Sequence, residues 1–330
     1  MLNQITVDIP SSQYGLLKFP LEDLCRKGNI ATPSSFDFFR LDCSRLSFAS
    51  ISHIVAIAQL YMWANSLHAD TSIDGMREKP EQYASRMDLY KILGIKHIEN
   101  FNRHDSDQRF VSLQKISDFE DVNPIAAKLT DMVTTRLHIN TSVRGAIDYA
   151  FGEIMDNIVQ HSGSRLGGIA AAQFYPAQGY LELCVSDCGK GIAETMSTNS
   201  AYRGLPPLEL MSKAFEEGCG EKTGAEFLGS DGAGMGMGLT ITERLVRATH
   251  GVLWAVSKGQ CVSVSQAWMR ATSDYWYPGT ILVVRIPTNE NVEIRVNDIY
   301  PGQGDGVFSW SVDGGFEVVE EAEQSESWLW

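Results

Sequence analysis

The sequence of 330 residues lacks any apolar run of about 18 residues, the length that a helix needs to cross a membrane. Its first residues, MLNQITVDIP, lack the basic and apolar segments of a secretory signal peptide. Cysteine is scarce, and the one close pair, Cys184 and Cys188, has no second pair at zinc-site spacing. We therefore expect a cytoplasmic protein with free thiols and no structural zinc site.

Basic residues are also few, since 27 Lys and Arg stand against 41 Asp and Glu and give a net charge of -14. This balance argues against a partner that is a nucleic acid or an anionic membrane, because both attract basic surfaces. The hydrophobic content of 44% is that of a globular protein, and the length suggests two domains. The last 15 residues, FEVVEEAEQSESWLW, are acidic with an apolar tip. They are typical of a flexible tail, although a docking peptide is an alternative.

The pattern of apolar residues divides the chain into three parts. Residues 36–67 contain an apolar, β-rich segment followed by a helical one, and polar stretches such as NFNRHDSDQR then interrupt the pattern. A new helical region opens after Pro124. We expect a small α/β interaction domain at 1–122, a second domain at 123–290, and an extension at 291–330 that includes the acidic tail.

The second part alternates helices with strands. SVRGAIDYAFGEIMDNIVQHS predicts a long helix with an apolar stripe, and GIAAAQFY and YLELCVSD predict two strands joined by a turn. Further on, LTITERLVRATH predicts a helix, and GVLWAVSK and TILVVRIP predict strands. We expect a sheet with helices on one face, which is a two-layer α/β sandwich.

A polar stripe runs along the long helix, where Glu153, Asn157 and His161 recur every four residues. A carboxylate there can orient water as a base, and an amide oxygen one turn away can ligate Mg²⁺. The stripe alone also fits a solvated helix face.

A second polar segment, VSDCGKGI, places Asp187 at the end of a strand. Its carboxylate can accept a hydrogen bond from an exocyclic amine, while Gly189 and Gly191 permit a tight turn beside a flat base. By itself, this pattern also fits a calcium loop or an ordinary turn.

Four alternating glycines at 232, 234, 236 and 238 precede the next helix, in GSDGAGMGMGLTI. Each glycine in an ordered segment costs roughly 0.5–1 kcal/mol relative to alanine, so the repetition suggests close backbone approach to a ligand. Nucleotide phosphate is one candidate.

The order of these elements resembles the ATP-binding domain of the histidine-kinase-like (GHKL, HATPase_c) ATPases. That superfamily includes sensor histidine kinases, anti-sigma-factor serine kinases, DNA gyrase B, Hsp90 and MutL. The resemblance covers about residues 123–288, with EIMDNIVQHSG as the N box, DCGKGI as the G1 box and GAGMGMGL as the G2 box. It implies a Bergerat-type α/β sandwich that binds ATP with Mg²⁺.

The resemblance also implies roles for single residues. Asn157 matches the Mg²⁺ ligand, Glu153 the residue that activates water in hydrolysing members, and Asp187 the residue that reads adenine. His161 follows the histidine-kinase pattern at the nucleotide site, and the alternative is that it only caps or orients the helix end. The other implied nucleotide contacts are Gly189, Gly191, Ile192, Gly232, Gly234, Met235, Gly236, Met237, Gly238, Leu239 and Thr280.

The resemblance further implies a mobile lid over residues 193–231, which contains three basic residues that are candidate phosphate contacts. These are Arg203, Lys213 and Lys222. The glycines of the G2 box would let the lid's end and the following helix N-terminus lie against the phosphates.

The N-terminal part resembles the STAS-like fold of anti-sigma-factor antagonists over FRLDCSRLSFASISHIVAIAQL. Ser52 matches the serine that is phosphorylated in that family, but Ser50 and His53 replace the usual aspartate and glycine around it. The resemblance implies a docking module that contacts a protein partner. An unrelated small α/β domain is the alternative.

Three functions follow from these patterns. The first is a regulatory switch that binds Mg-ATP and hydrolyses it slowly. The second is a serine or histidine protein kinase of the anti-sigma-factor type, and the third is a non-catalytic ATP-binding interaction module. Against a sensor kinase, His138 is not followed by an acidic residue. Expected partners are ATP, a protein bound through the N-terminal domain, and a second copy in a homodimer.

Overall fold

In the computed structural model, the described residues are 3–12, 15–30, 36–103, 109–137, 141–219, 237–289 and 294–299. At 307–310 and 316–319 only the backbone is described. The same holds for residues 141, 142 and 161. None of the helices in these ranges is both long and apolar enough to span a membrane.

The N-terminal region contains a small parallel sheet with helices. Its strands lie in the order β1-β2-β3, and Asp8, Asp42 and Asp74 share one register at their carboxyl ends. The elements are β1 (Gln4–Asp8), α1 (Glu22–Cys25), β2 (Phe38–Asp42), α2 (Ile51–Ser66), β3 (Asp70–Asp74), α3 (Glu78–Arg86) and α4 (Leu89–Leu93).

The rest of the chain builds a seven-stranded sheet, in which every neighbouring pair is antiparallel. Its elements are β4 (Phe110–Ile116), α5 (Phe119–Leu137), α6 (Thr141–His161), β5 (Gly168–Tyr175), β6 (Tyr180–Asp187), α7 (Ile192–Ser197), a 3-10 turn (Ser200–Tyr202), α8 (Pro207–Lys213), α9 (Gly238–Ala248), β7 (Val252–Ser257), β8 (Gln260–Ser265), β9 (Met269–Thr272) and β10 (Thr280–Pro287). The strand order is β4-β5-β6-β10-β7-β8-β9. A short helix, α10 (Val296–Ile299), and a hairpin of β11 (Val307–Trp310) and β12 (Phe316–Val319) follow.

The central strands are buried on both faces. All residues of β6 and β7 are buried, and successive side chains of a strand point to opposite faces. In β6, Leu181, Leu183 and Val185 face one hydrophobic core, and Cys184 faces another. The first core lies under α5, α6 and α9, whereas the second is shared with the N-terminal region.

This arrangement confirms the two-layer α/β sandwich, since α5, α6 and α9 cover one face of the seven-stranded sheet. The structure adds that α2 and its neighbours, from the N-terminal region, pack on the other face. The division of the chain at residue 122 stays a prediction. The structure adds that β4, which precedes residue 122, pairs with β5 in the seven-stranded sheet. The STAS likeness of the N-terminal region also stays a prediction.

The start of α2 is held by side chains of the seven-stranded sheet. Its first N–H groups have no partners within the helix, and the side chain of Ser50 does not cap them. Instead, the Ile51 N–H donates to the hydroxyl of Tyr175 at 2.8 Å, and the Ser52 N–H donates to Glu182 at 3.1 Å. The Glu182 carboxylate therefore meets the positive end of the helix dipole.

A buried ion pair completes this contact. Arg285 Nε donates to Glu182 at 2.7 Å, and both side chains are fully buried. Arg285 also donates to the carbonyls of Gly15 and Lys18, so it joins β10 to the N-terminal loop. The Ser52 hydroxyl donates to the same Glu182 carboxylate at 2.8 Å. Ser52, the candidate phosphorylation site, is thus inaccessible in this arrangement.

Candidate functional site

The polar stripe of α6 lies where two helices meet. Glu153 is buried, with 7% of its surface exposed, while Asn157 one turn further on is exposed. A Cβ on Gly238, the first residue of α9, would lie 2.6 Å from the Cβ of Glu153. Only glycine therefore lets the N-terminus of α9 approach α6 at this residue. The side chain of His161 falls outside the described set, although its backbone ends α6.

Asp187 ends β6 in a tightly packed turn. Its carboxylate accepts a hydrogen bond from the N–H of Gly189 at 2.6 Å. Burial raises the pKa of Asp187 to about 6. The hydrogen bond from Gly189 and the charge of Lys258 act in the opposite direction and lower this pKa, but by less. The carboxyl is buried, and a Cβ on Gly279 would collide with its backbone carbonyl. The turn around Asp187 is thus held in shape by backbone contacts.

The turn after Asp187 also rests against the end of α6. The Lys190 N–H donates to the carbonyl of Ser162 at 2.8 Å, and a Cβ on Gly189 would collide with that carbonyl. The backbone therefore joins the turn after Asp187 to the C-terminal end of the helix that carries Glu153 and Asn157.

Thr280 lies in register with Asp187 on β6 and with Ser257 on β7. Its hydroxyl and that of Ser257 share a hydrogen bond of 3.0 Å, and the Ile192 N–H donates to Ser257 at 2.9 Å. Ser257 thereby joins β10 to the start of α7. Gly191 has a positive φ of 86°, and a Cβ there would lie 2.7 Å from the Ser257 hydroxyl. A side chain at 191 would push the segment away.

The glycine-rich segment lies mostly outside the described residues. Gly232, Gly234, Met235 and Gly236 belong to that group, as does Lys222 in the predicted lid. Met237 and Gly238 are described and buried, and Leu239 is half-buried. The contact of the four glycines with phosphate therefore stays a prediction.

The described part of the predicted lid, residues 193–219, is folded. Met196, Tyr202, Leu210 and Ala214 form a small apolar core of their own. Of the candidate phosphate contacts, Arg203 is exposed, whereas Lys213 pairs with Glu216 at 3.2 Å. The mobility of the lid stays a prediction.

Sequence reasoning missed several residues of this site. Lys258, in the turn between β7 and β8, has a positive φ of 47° and adds a positive charge near Asp187. Asp156 lies between Glu153 and Asn157 in sequence, and burial raises the pKa of its carboxyl. Ser257 and Gln59 are further from the motifs in sequence. Only the carboxylate of Asp156, inside the N box, offered a signal, because the others are brought in by strand pairing and domain packing.

The donor set fits a magnesium nucleotide better than a metal bound by protein alone. No group of three or more His, Cys, Asp or Glu side chains among the described residues could hold a metal ion. Mg²⁺ usually keeps one or two protein oxygens and takes the rest of its ligands from phosphates and water. The exposed amide of Asn157 offers one such oxygen ligand.

Comparison with known proteins supports the same conclusion. Residues 143–290 match the family model described as histidine kinase-, DNA gyrase B-, and HSP90-like ATPase. The match begins in α6 and ends just after β10, so it contains Glu153, Asn157, Asp187, the glycine-rich segment and Thr280. A search of curated proteins found none that matches the chain.

Proposed function

Since residues 143–290 belong to the family of histidine kinase-, DNA gyrase B- and HSP90-like ATPases, the chain is an ATP-binding protein, and we propose that it is a slow Mg-ATPase acting as a regulatory switch. The observation that carries the proposal is the packing of Gly238 against Glu153, which brings a helix N-terminus to a buried carboxylate. A helix N-terminus favours phosphate, and a carboxylate beside it is suited to activate water.

The proposed base-binding end is the Asp187 turn. A buried carboxylate is suited to accept a hydrogen bond from the exocyclic amine of adenine, and burial strengthens that bond. Gly279 packs against this turn, and Gly189 within the turn packs against Ser162, both so tightly that side chains are excluded. The Thr280 hydroxyl, which shares a hydrogen bond with Ser257, is a second polar group for the base.

The proposed phosphate end is the junction of α6 and α9. Asn157 would hold Mg²⁺, which would supply positive charge next to the phosphates. Glu153 would take the proton of the attacking water as it reacts with the terminal phosphate. Its burial keeps bulk water from competing for that position.

The switch role is supported by the contact between the ATP-binding sheet and α2. Glu182 and Arg285 belong to strands of that sheet, and they bind the start of α2 and the loop near Gly15. A change at the nucleotide can therefore alter how the N-terminal region is held. A protein partner bound through that region would respond to the nucleotide state.

A protein kinase is the second candidate function, since the family includes histidine kinases. Ser52 is a poor substrate within its own chain because its hydroxyl is buried against Glu182. This burial does not affect transfer of the terminal phosphate of ATP to a serine of a partner protein. A pure binding module is the third candidate, and the buried carboxylate of Glu153 favours turnover over it.

The test compares Glu153→Ala with Asn157→Ala in the full chain. General-base catalysis contributes typically about 10²–10⁴-fold, so Glu153→Ala should lose that much phosphate release while keeping its affinity for Mg-ATP. Asn157→Ala should lose the Mg²⁺ dependence of binding, and turnover with it. Glu120→Ala, on the exposed first turn of α5, is the matched control and should change neither.

ATP labelled at its terminal phosphate separates the three candidates. Free phosphate supports the switch, labelled partner protein supports the kinase, and retention of intact ATP supports the binding module. A Glu153→Ala protein that binds ATP and releases phosphate at the parental rate would contradict the assigned role of Glu153.

A further inference from the structure

Gln59, a fully buried residue in the middle of α2, contacts the strand end that carries Asp187. Its Nε2 donates to the backbone carbonyl of Ser186 at 2.8 Å. The thiol of Cys188 donates to the backbone carbonyl of Gln59 at 3.6 Å. Because Ser186 and Cys188 are the residues on either side of Asp187, α2 holds the turn on both sides of this carboxylate.

The contact comes from the face of the sheet opposite α6. Along β6, the residues on the α6 side are Leu181, Leu183 and Val185, and the polar residues Glu182 and Ser186 alternate with them. The Ser186 hydroxyl donates to Tyr277 at 2.9 Å and to the Thr280 carbonyl at 3.1 Å. The Gln59 contact is thus part of a polar network directly beneath the proposed base-binding end.

The amide of Gln59 is not explained by packing. Its Oε1 is buried and has no hydrogen-bond partner in the part of the chain that the structure describes. An unpaired buried carbonyl is unfavourable, and an apolar side chain of the same length would avoid it. The feature that an apolar side chain lacks is the Nε2 donor, which reaches the residue next to Asp187.

We propose that Gln59 is a positioning residue for base recognition, which holds the Asp187 turn in the orientation that selects adenine. The proposal rests on the proposed function in one respect, namely that Asp187 reads the base. It deepens that function because the selectivity of the ATP site then depends on a residue outside the matched family domain. A partner that shifts α2 would change base selectivity as well as contacts.

The test measures the dissociation constants of ATP and GTP for the full chain with Gln59→Met. Methionine keeps the length and apolar packing of the side chain and removes the donor. ATP affinity should fall by about tenfold, the equivalent of one lost hydrogen bond, and GTP affinity should change little. Ile57→Ala is the control, since Ile57 is also fully buried on α2 but lies about 200° round the helix. It should lower the melting temperature and keep the preference for ATP.

A double-mutant cycle with Asp187→Asn then separates positioning from stability. If Gln59 acts through Asp187, Gln59→Met should change ATP affinity by less than about twofold in the Asp187→Asn protein. Cys188→Ala is a second variant at a half-buried site, and it should reduce the ATP preference, whereas Cys188→Ser should retain it by keeping a donor.

Two results would overturn the inference while leaving the proposed function intact. One is an unchanged ATP preference in both Gln59→Met and Cys188→Ala. The other is a loss of ATP affinity on Gln59→Met that is equal in the parental and Asp187→Asn proteins. That result would mean that Gln59 acts independently of Asp187. Parental protein that binds neither nucleotide would instead contradict ATP binding itself, and the inference with it.

Discussion

The two faces of the seven-stranded sheet differ in the chemistry of their contacts. On the α6 side, the buried side chains form an apolar core with α5 and α9. On the α2 side, an apolar core also forms, but it surrounds the ion pair of Glu182 and Arg285 and the amide of Gln59. Apolar packing is non-directional, whereas ion pairs and hydrogen bonds fix an orientation.

The two faces therefore hold different parts of the molecule in place. The α6 face gives stability to the helices that carry Glu153 and Asn157. The α2 face fixes the N-terminal region in one position relative to the Asp187 turn, because the ion pair of Glu182 and Arg285 and the hydrogen bond of Gln59 need that position. The contact between the regions is therefore specific in its orientation, as the proposed switch requires.

The largest expected effect is on the α2 face. Glu182→Ala leaves the Arg285 guanidinium buried without its carboxylate and removes the acceptor for Ser52, so the free energy of unfolding should fall by about 3–5 kcal/mol. Denaturation with urea measures this loss. Glu22→Ala, in the exposed pair with Arg26, is the control and should leave stability within error. A small loss for Glu182→Ala would show that the α2 face needs no fixed orientation.

The next effect concerns Asp187, whose folded pKa of about 6 lies above the usual value of 3.8. Between about pH 4 and pH 6 the unfolded chain has released a proton that the folded protein still holds, so this group makes stability fall as the pH rises. Asp187→Asn should therefore raise the free energy of unfolding by about 2–3 kcal/mol at pH 7 and change it little below pH 4.

Urea denaturation of both proteins without nucleotide, at pH 4 and at pH 7, measures this difference. The measurement at pH 4 is the control, because the parental and Asp187→Asn proteins should have the same free energy of unfolding there. A stability gain that is the same at both values would mean that the Asp187 carboxyl is not destabilised by burial.

The smallest effect is on the α6 face. Gly238→Ala places a Cβ 2.6 Å from that of Glu153, so α9 must move away and the protein should lose about 1–3 kcal/mol of stability. ATP affinity should fall with it. Gly152→Ala is a matched helical control with no atom within 4 Å of the new Cβ, and it should stabilise α6 by about 0.5–1 kcal/mol. Equal effects at the two glycines would mean that α9 does not pack closely on α6.

The candidate site could be predicted from the sequence where its residues are close in the chain. Glu153 and Asn157 share a helix at one-turn spacing, and Asp187, Gly189 and Gly191 share one turn, so local geometry alone groups them. Ser257 and Thr280 are 23 residues apart and meet only through strand pairing. Gln59 is 127 residues from Ser186, and no local pattern links the two.

The layering of the sheet shows the same limit. Alternating Leu181, Leu183 and Val185 predicted one buried face of β6. The intervening Glu182 and Ser186 resemble solvent-facing residues, yet both are buried, because Ser52 and Arg285 bind the Glu182 carboxylate and Tyr277 binds the Ser186 hydroxyl. In β10, the run TILVVRIP has apolar residues at both odd and even positions, so both faces of the strand are mostly apolar. That pattern does indicate burial on both faces.

By itself, the sequence determined the ATP-binding family of residues 143–290 and the α/β class, and it grouped Glu153 with Asn157 on one helix and Asp187 with its two glycines in one turn. These depend on spacing of a few residues, and helix and turn geometry convert such spacing directly into position. Only the tertiary structure decided that α2 closes the second face of the sheet and that Gln59 reaches the Asp187 turn. Long-range contacts depend on how complete surfaces fit together, so a buried charge or amide acquires its meaning only when its partner is in place.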